Sequence, residues 1–291
     1  MQISAWQCRG RKIDFRAGPL LMGILNVTPD SLSDGGRFAD AEQAVARALQ
    51  MVEEGAAIID VGGESSRPGA GPVDAGTEIK RVLPVIEGLS RKSDVLISVD
   101  TRKSAVADAA LRAGAHIVND ISALAADAGM PATALRHGAG VILMHKKGEP
   151  SDMQEDPRYG DVVAEVGAYL KERIAALREA GLAPESMAID PGIGFGKTTE
   201  HNLKLIAHVA ELAELGRPVV MGLSRKSFLG QITRRAVNER LAGSLAGLAY
   251  CLINGAKILR VHDVGASRDV CLVLQNIIGM RHSHALCGNI A

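Results

Sequence analysis

Polar side chains that could bind and activate a ligand recur at the ends of eight short apolar runs of this chain. Guanidinium and ammonium groups bind phosphate and carboxylate, so the basic members of the set favour an anion. A carboxylate can accept two parallel N–H bonds from the amino edge of a flat heterocycle. We therefore predict a site for an anionic group beside an aminopyrimidinone-type ring. The basic residues are Arg67, Lys226, Arg260 and His262, and the acidic and amide residues are Asp100, Asn119 and Asp190.

Each residue of this set also has a structural explanation when it is taken alone. A single Asp at a strand end often caps a helix or accepts from a loop amide, and we expect this of Asp60 and Asp120. A lone strand-end histidine such as His145 is more often a hydrogen-bonded wall than a catalyst. The set as a whole is harder to explain in this way, because polar groups inside a barrel mouth are costly unless something uses them.

The segment DPGIGFGK, which begins at Asp190, is rich in glycine but matches neither common phosphate-binding motif. GxGxxG is absent, and Pro191 stands where a phosphate loop needs its first glycine. Its glycines let the backbone either pass close to a ligand or turn sharply out of a strand.

The apolar runs alternate with amphipathic helical patterns, which predicts strands joined by helices in a parallel sheet. Eight such units in about 250 residues are typical of an α/β fold of the (β/α)8 TIM-barrel type, with the active site at the C-terminal ends of the strands. The alternative is an open, doubly wound sheet. We favour the barrel because the polar residues follow all eight runs, at residues 20–27, 57–63, 95–101, 116–122, 141–146, 187–193, 219–224 and 258–264.

Composition excludes several classes of protein. The chain has 291 residues, a formal net charge of zero and 3% aromatic residues, which argues against nucleic-acid binding. Four scattered cysteines without a CxxC pair argue against a disulfide framework or a zinc site and fit the reducing cytoplasm. Signal-peptide and membrane-spanning patterns are not found. We predict one domain over residues 1–280 and a disordered tail over 281–291.

Seven ordered motifs resemble the dihydropteroate synthase family over residues 20–280. They are MGILNVTPDSLSDGG, IIDVGGESSRPGA, SVDT, NDIS, DPGIGFGK, GLSRKSFLG and RVHDV. The resemblance implies a pterin-binding (β/α)8 barrel that joins (7,8-dihydropterin-6-yl)methyl diphosphate to 4-aminobenzoate. The products would be 7,8-dihydropteroate and diphosphate, a step of folate biosynthesis, and sulfonamides would be inhibitors.

The resemblance also implies roles for individual residues. Asp100, Asn119, Asp190 and Lys226 would hold the pterin ring, with Arg260 stacked over it. Asn26 would ligate Mg²⁺ together with the diphosphate, which Arg260 and His262 would also contact. The remaining expected site residues are Asp34 at the reacting centre, and Ser66, Arg67, Pro68, Phe195 and Ser227 around the aminobenzoate. Catalytic roles are expected for Asp100, Lys226, Asp34 and Arg67.

The mechanism that the resemblance implies needs no activated nucleophile, and no Ser–His pair or CxxC motif is present. The diphosphate would leave first, and the neutral aniline nitrogen would then add to the pterin methylene cation. Mg²⁺ and the basic cluster would stabilise the departing diphosphate.

Three residues depart from the usual pattern of this family. Ser66 replaces Thr and keeps the hydroxyl group. Leu32 replaces Phe, which removes an aromatic wall beside the aminobenzoate and is expected to weaken the binding of sulfonamides. Lys146 replaces an apolar Met near the pterin, so its cation would either extend outward or disturb the pterin pocket.

Other functions remain open from the sequence. One is a catalytically silent paralogue that binds pterin, an alternative that the unusual Lys146 suggests. Another is a corrinoid-dependent methyltransferase domain, although it would have no use for the SSRPG and SRKS motifs. A third is a barrel enzyme that acts on a sugar phosphate. We expect small-molecule substrates, no nucleic-acid or membrane partner, and a homodimer formed through the last two helices, as the family commonly does.

Overall fold

An antiparallel hairpin opens the described part of the chain, and eight parallel strands that alternate with helices follow it. The computed structural model describes residues 5–28, 37–65, 71–149 and 152–286. The hairpin strands are β1 (Ala5–Cys8) and β2 (Arg11–Asp14). The parallel strands are β3 (Leu20–Asn26), β4 (Ile58–Gly62), β5 (Leu96–Asp100), β6 (Ile117–Asp120), β7 (Gly140–Met144), β8 (Met187–Asp190), β9 (Val220–Met221) and β10 (Ile258–Val261).

The parallel strands form a barrel. Their order is β8-β7-β6-β5-β4-β3-β10-β9, and a bridge between Ile189 and Val219 joins the two outer strands. The amide of Ile189 also donates to the carbonyl oxygen of Pro218 at 2.9 Å. The predicted (β/α)8 barrel is therefore confirmed, and each strand lies within, or one residue outside, the apolar run that predicted it. The open sheet is wrong because its two edges are joined here.

Helices cover the outside of the barrel and pack on it through their apolar faces. The apolar pattern of α1 shows the cause, since Ala44, Val45 and Ala48 are buried at helical spacing. The helices are α1 (Arg37–Glu53), α2 (Ala75–Lys92), α3 (Ser104–Arg112), α4 (Met130–His137), α5 (Val162–Glu179), α6 (Thr199–Ala207), α7 (Val209–Ala213), α8 (Ser227–Thr233), α9 (Leu241–Ile253) and α10 (Val264–Leu286).

The hairpin closes the end of the barrel at which the strands begin. Trp6 and Cys8 are fully buried and belong to one apolar cluster with strand residues such as Met22 and Ile58. The indole Nε1 of Trp6 donates to the carbonyl oxygen of Ser186, just before β8, at 2.8 Å. The interior of the barrel is therefore filled by apolar side chains at this end, and the expected site lies at the carboxyl ends of the strands.

The predicted division into a domain of residues 1–280 and a disordered tail stays a prediction. Helix α10 extends to Leu286, beyond the point at which the tail was expected to begin, and residues 287–291 lie outside the described ranges. None of the helices in the described ranges combines the length and the hydropathy that crossing a membrane requires.

Candidate active site

Four neighbouring strands carry a row of residues at one level of the barrel. Strand pairing places Asn26 beside Gly62, Gly62 beside Asp100, and Asp100 beside Asn119. A Cβ atom on Gly62 would lie 3.7 Å from Asn26 Oδ1 and 3.8 Å from Asp100 Oδ2. The glycine therefore leaves room between an amide oxygen and a carboxylate, where a larger residue would fill the site.

The Asp60 carboxylate links Asn119, a member of this row, to Arg260. Asp60 is fully buried, and its Oδ2 accepts from Arg260 Nε at 2.7 Å and from Asn119 Nδ2 at 3.0 Å. Arg260 Nη2 donates to Asp100 Oδ2 at 2.8 Å. Arg260 therefore joins two carboxylates from different strands, and these two bonds use only two of its five N–H groups.

The role of Asp60 differs from the expectation of a helix cap or loop partner. Asp120 does behave as expected, because its Oδ1 accepts from the amide and the hydroxyl of Ser122 at 2.7 and 2.6 Å. The signal for Asp60 was its place within the apolar stretch IIDVG of β4. A charge buried inside such a strand requires a partner of opposite charge.

Burial and the ion pairs act in opposite directions on the pKa values of Asp100 and Arg260. It raises the pKa of Asp100 to about 7, against the lowering effect of Arg260, and the carboxylates of Asp60, Glu78 and Asp120 add to the rise. Burial disfavours the charged form of Arg260, but Asp60 and Asp100 hold the pKa of Arg260 above its ordinary value. Arg260 therefore stays charged, whereas Asp100 can change its protonation state near neutral pH.

Asp190 ends β8 on the opposite side of the barrel mouth. Its Oδ1 accepts from the amide of Gly192 at 2.6 Å. A Cβ on Gly222 would lie 3.9 Å from Asp190 Oδ2 and 3.7 Å from Arg260 Cβ, so this second glycine also keeps space open between site residues. Burial raises the pKa of Asp190, and the charge of Lys226 opposes that rise.

Lys226 reaches toward the loop that follows Asp190. Its Nζ donates to the carbonyl oxygen of Ile193 and lies 4.5 Å from the centroid of the Phe195 ring. Burial lowers the pKa of Lys226 to about 8, although Asp190 favours its charged form. The preceding residue, Arg225, does not add free charge to the site, because its Nε donates to Asp263 Oδ2 at 3.0 Å.

Two predicted residues lie at the edge of this group. His262 lies two residues beyond Arg260 on the chain, and its Nδ1 is 3.1 Å from Ser224 Oγ. This is a Ser–His contact, which the sequence did not lead us to expect. Ser227 is exposed as the first residue of α8. The expected residues Leu32, Asp34, Ser66, Arg67 and Pro68 lie outside the described residues.

Lys146 directs its ammonium group toward the rim. Its Nζ is 2.5 Å from Glu149 Oε1, and Glu149 Oε2 accepts from Arg102 Nη1 at 2.9 Å. Arg102 Nη2 is 3.3 Å from Glu64 Oε1 at the end of β4. The amine is therefore paired with an exposed carboxylate, although only 10% of the Lys146 side chain is itself exposed.

His145 and Lys197 form a buried pair that the sequence analysis did not assign. His145 Nδ1 lies 3.0 Å from Lys197 Nζ, and both side chains are largely inaccessible to solvent. Burial lowers the pKa of His145 to about 3, so its ring is neutral, as a wall residue would be. The signal for Lys197 was its place at the end of DPGIGFGK.

In the described ranges, no group of three or more His, Cys, Asp and Glu side chains is arranged to hold a metal ion. The side-chain oxygen of Asn26 beside the open face of Gly62 nevertheless fits Mg²⁺, which prefers oxygen ligands and usually takes only one or two from protein.

Comparison of sequences relates the chain to pterin-binding proteins. A sequence model of the family described as "Pterin binding enzyme" matches residues 22–262. The dihydropteroate synthase of Escherichia coli (strain K12) is 44% identical over 275 residues, which cover 94% of this chain and 97% of that protein. The dihydropteroate synthase of Synechocystis sp. is 44% identical over 254 residues, 87% of this chain and 88% of that protein.

Comparison with solved structures agrees with this relation. Xanthomonas albilineans dihydropteroate synthase with 4-aminobenzoic acid is similar with a TM-score of 0.88 and 45% identity, over 95% of this chain and 98% of that one. The enzyme of the same organism in complex with 7,8-dihydropteroate has a TM-score of 0.84 and 42% identity, over 94% and 98% of the two chains.

The raised pKa of Asp100 predicts how the stability of the protein depends on pH. The pKa of its carboxyl rises from 3.8 to about 7 on folding, so the folded chain binds this proton more tightly. The stability that this proton contributes is complete below pH 3.8 and is lost as the pH rises through 7. Asp100→Asn should remove this decline, as measured by urea unfolding at a series of pH values.

The matched control is Asp94→Asn, because Asp94 is fully exposed before β5. A plot of its free energy of unfolding against pH should run parallel to that of the unmodified chain. If Asp100→Asn also runs parallel over this range of pH, the raised pKa of Asp100 is wrong.

Proposed function

Because this chain belongs to the pterin-binding enzymes and, among them, to the dihydropteroate synthase family, we propose that its barrel mouth joins (7,8-dihydropterin-6-yl)methyl diphosphate to 4-aminobenzoate. The products are 7,8-dihydropteroate and diphosphate, and the activity is that of a transferase in folate biosynthesis. The observation that carries the proposal is the buried network of Asp60, Arg260, Asp100 and Asn119, with Asp190 and Lys226 facing it across Gly222.

The pterin ring binds within this network. Asp190 accepts hydrogen bonds from the amino edge of the ring, while the Asn119 amide and Asp100 contact other polar atoms of the same plane. Lys226 donates to a ring acceptor, which suits an amine that also contacts Ile193. Arg260 stacks over the ring, because its bonds to Asp60 and Asp100 fix the plane of the guanidinium.

The diphosphate leaves from the side of the mouth formed by β3 and β10. Arg260 and His262 contact its oxygen atoms, and Asn26 supplies a ligand for Mg²⁺. When bound, Mg²⁺ neutralises the charge that develops on the departing diphosphate. The carboxylates of Asp100 and Asp190 stabilise the positive charge that spreads over the pterin ring and its methylene group.

The aminobenzoate approaches from the side of Phe195. The Phe195 ring lines its pocket, and the Ser227 hydroxyl contacts its carboxylate. The resemblance assigns Ser66, Arg67 and Pro68, which lie outside the described residues, to the same substrate. Its neutral aniline nitrogen adds to the methylene carbon and then loses one proton to water. The resemblance assigns Asp34, which lies outside the described residues, to this step. Sulfonamides carry a similar aniline group, so we expect inhibition competitive with 4-aminobenzoate in the assay below.

The last two helices, α9 and α10, carry several exposed apolar side chains. Large apolar side chains of α9 and α10 are exposed although these helices pack on one another. Apolar surface of this extent commonly marks an interface. We propose that the protein is a homodimer through this surface, which comprises Leu241, Tyr250, Ile253, Leu272, Val273 and Ile277.

We place this reaction in the cytoplasm. Cys8, Cys251 and Cys271 are free and buried in the described part of the chain, as expected of a protein from a reducing compartment. Fractionation of cells that produce the chain tests this assignment.

Turnover tests the function and the pterin site together. Purified protein with the pterin diphosphate, 4-aminobenzoate and Mg²⁺ should form dihydropteroate, measured by chromatography. Asp190→Asn and Lys226→Met should each lower kcat/KM at least about a hundredfold, the usual cost of losing a group that stabilises a transition state. Asp94→Asn and Lys204→Met, at exposed positions away from the mouth, should retain full activity.

Binding without product would contradict the proposed reaction and favour the catalytically silent paralogue. Equal activity of all four variants would instead leave the reaction in place and show that the pterin site is assigned wrongly.

Removal of the metal tests the role of Asn26. Excess EDTA should abolish turnover, and added Mg²⁺ should restore it. Asn26→Ala should increase the Mg²⁺ concentration that gives half-maximal rate, because a ligand oxygen is lost. Full turnover in excess EDTA would exclude the magnesium requirement.

Sedimentation of the purified chain tests the dimer. The unmodified protein should sediment as a dimer, and Val273→Asp should sediment as a monomer because it places a charge in the apolar surface. Leu135→Asp is the control, since Leu135 is similarly exposed but lies on α4. Dissociation by both variants, or by neither, would speak against this interface.

A further inference from the structure

The loop between β8 and α6 is held by side chains rather than by regular backbone pairing. Residues 193–196 offer four successive carbonyl oxygens, and each one accepts from a side chain. Three of the four donors come from other segments of the chain. The pairs are Lys226 Nζ with Ile193, Gln154 Nε2 with Gly194 at 2.5 Å, Lys197 Nζ with Phe195 at 3.0 Å, and Tyr159 Oη with Gly196 at 2.9 Å.

The backbone of this loop touches the backbone at the end of β7. A Cβ atom on Gly192 would lie 1.8 Å from the carbonyl oxygen of His145, and one on Gly196 would lie 2.1 Å from that of Lys147. Both glycines have positive φ, 68° and 64°, so larger residues are excluded by conformation as well as by space. The two backbone segments are therefore packed directly against each other.

Lys197 is the side chain that connects them. It is 2% exposed, and its Nζ lies 3.0 Å from Phe195 O, 3.0 Å from His145 Nδ1 and 3.4 Å from His145 O. An ammonium group has three N–H donors and can serve all three acceptors. Burial lowers the pKa of Lys197 to about 7, and the negative charge of Asp190 opposes this change.

The link formed by Lys197 affects the candidate site because Phe195 contacts both Lys197 and Lys226. Its carbonyl oxygen binds Lys197, and its ring lies under the ammonium group of Lys226. A shift of the loop would therefore move the ring that lines the aminobenzoate pocket. Asp190 would be less affected, because it belongs to β8 and is fixed by the sheet.

We propose that Lys197 is a positioning residue for the synthase reaction, which sets the Phe195 ring by binding the Phe195 carbonyl and the His145 ring at the same time. The inference rests on the proposed function. It predicts that loss of Lys197 raises the KM for 4-aminobenzoate more than the KM for the pterin diphosphate.

Steady-state kinetics of Lys197→Met tests this assignment. Methionine has a similar length but no donor, so the loop loses its link to His145. The KM for 4-aminobenzoate should rise on the order of tenfold, as displacement of a positioning group commonly causes, while the KM for the pterin diphosphate should stay within about twofold. Lys204→Met is the matched control, since Lys204 lies on α6 with its side chain exposed and paired with Glu200.

Two further measurements keep the test decisive if Lys197→Met folds poorly. Tyr159→Phe removes only the hydroxyl donor to Gly196 and should raise the KM for 4-aminobenzoate in the same direction by a smaller factor. Lys197→Ala should regain 4-aminobenzoate binding when propylammonium is added, because the free cation can occupy the vacated space.

An equal rise of both KM values, or no rise in either, would overturn the role of Lys197 in an otherwise active enzyme. The role of Lys197 would also be overturned if Tyr159→Phe left the KM for 4-aminobenzoate unchanged and propylammonium did not restore 4-aminobenzoate binding to Lys197→Ala. Absence of turnover in the unmodified chain would instead contradict the proposed function and is recognised separately by that measurement.

Discussion

The buried carboxylate of Asp60 is the constraint on which the site depends. A charge without access to water requires a partner, and the partner is Arg260, whose side chain lies 200 positions further along the chain. The same arginine then reaches Asp100, and Asp60 also orients the Asn119 amide. Three strands of the barrel are thus tied to β10 by one ionic network. The residues that would contact a ligand are oriented before any ligand arrives.

Glycine residues leave space in the site because they have no side chain. Gly62 and Gly222 lie in strand β4 and beside β9, where any side chain would reach Asn26, Asp100, Asp190 or Arg260. Gly192 and Gly196 serve a different purpose, because there the backbone of one loop approaches another. Both uses depend on the absence of a Cβ atom, but only the second needs positive φ. The positive φ of Gly192 and Gly196 agrees with a sharp turn out of the strand, which is one of the two alternatives for the glycines of DPGIGFGK.

Lysine residues occupy three distinct environments around the mouth. Lys197 is buried and Lys226 is half-buried, and desolvation lowers both pKa values toward neutrality. Lys146 pairs with the partly exposed Glu149, whose pKa is lowered chiefly by its hydrogen bond to this amine. Lys146, one of the three residues that depart from the family pattern, is thus paired with Glu149. Arg102 in turn forms ion pairs with both Glu149 and Glu64. This explains how a cation is accepted so near to the predicted pterin pocket.

The sequence by itself determined the eight strands, the barrel and most of the residues at its mouth. Apolar runs with polar ends are local patterns, and the parallel order of the strands carries those ends to one side. Tertiary structure alone decided the contacts of Asp60 with Arg260, of Lys197 with His145, and of Trp6 with Ser186, which join positions far apart in the chain. A pattern of residue types states that a buried charge or donor needs a partner. Only closure of the barrel brings that partner within bonding distance, because the distance depends on how all eight strands are placed.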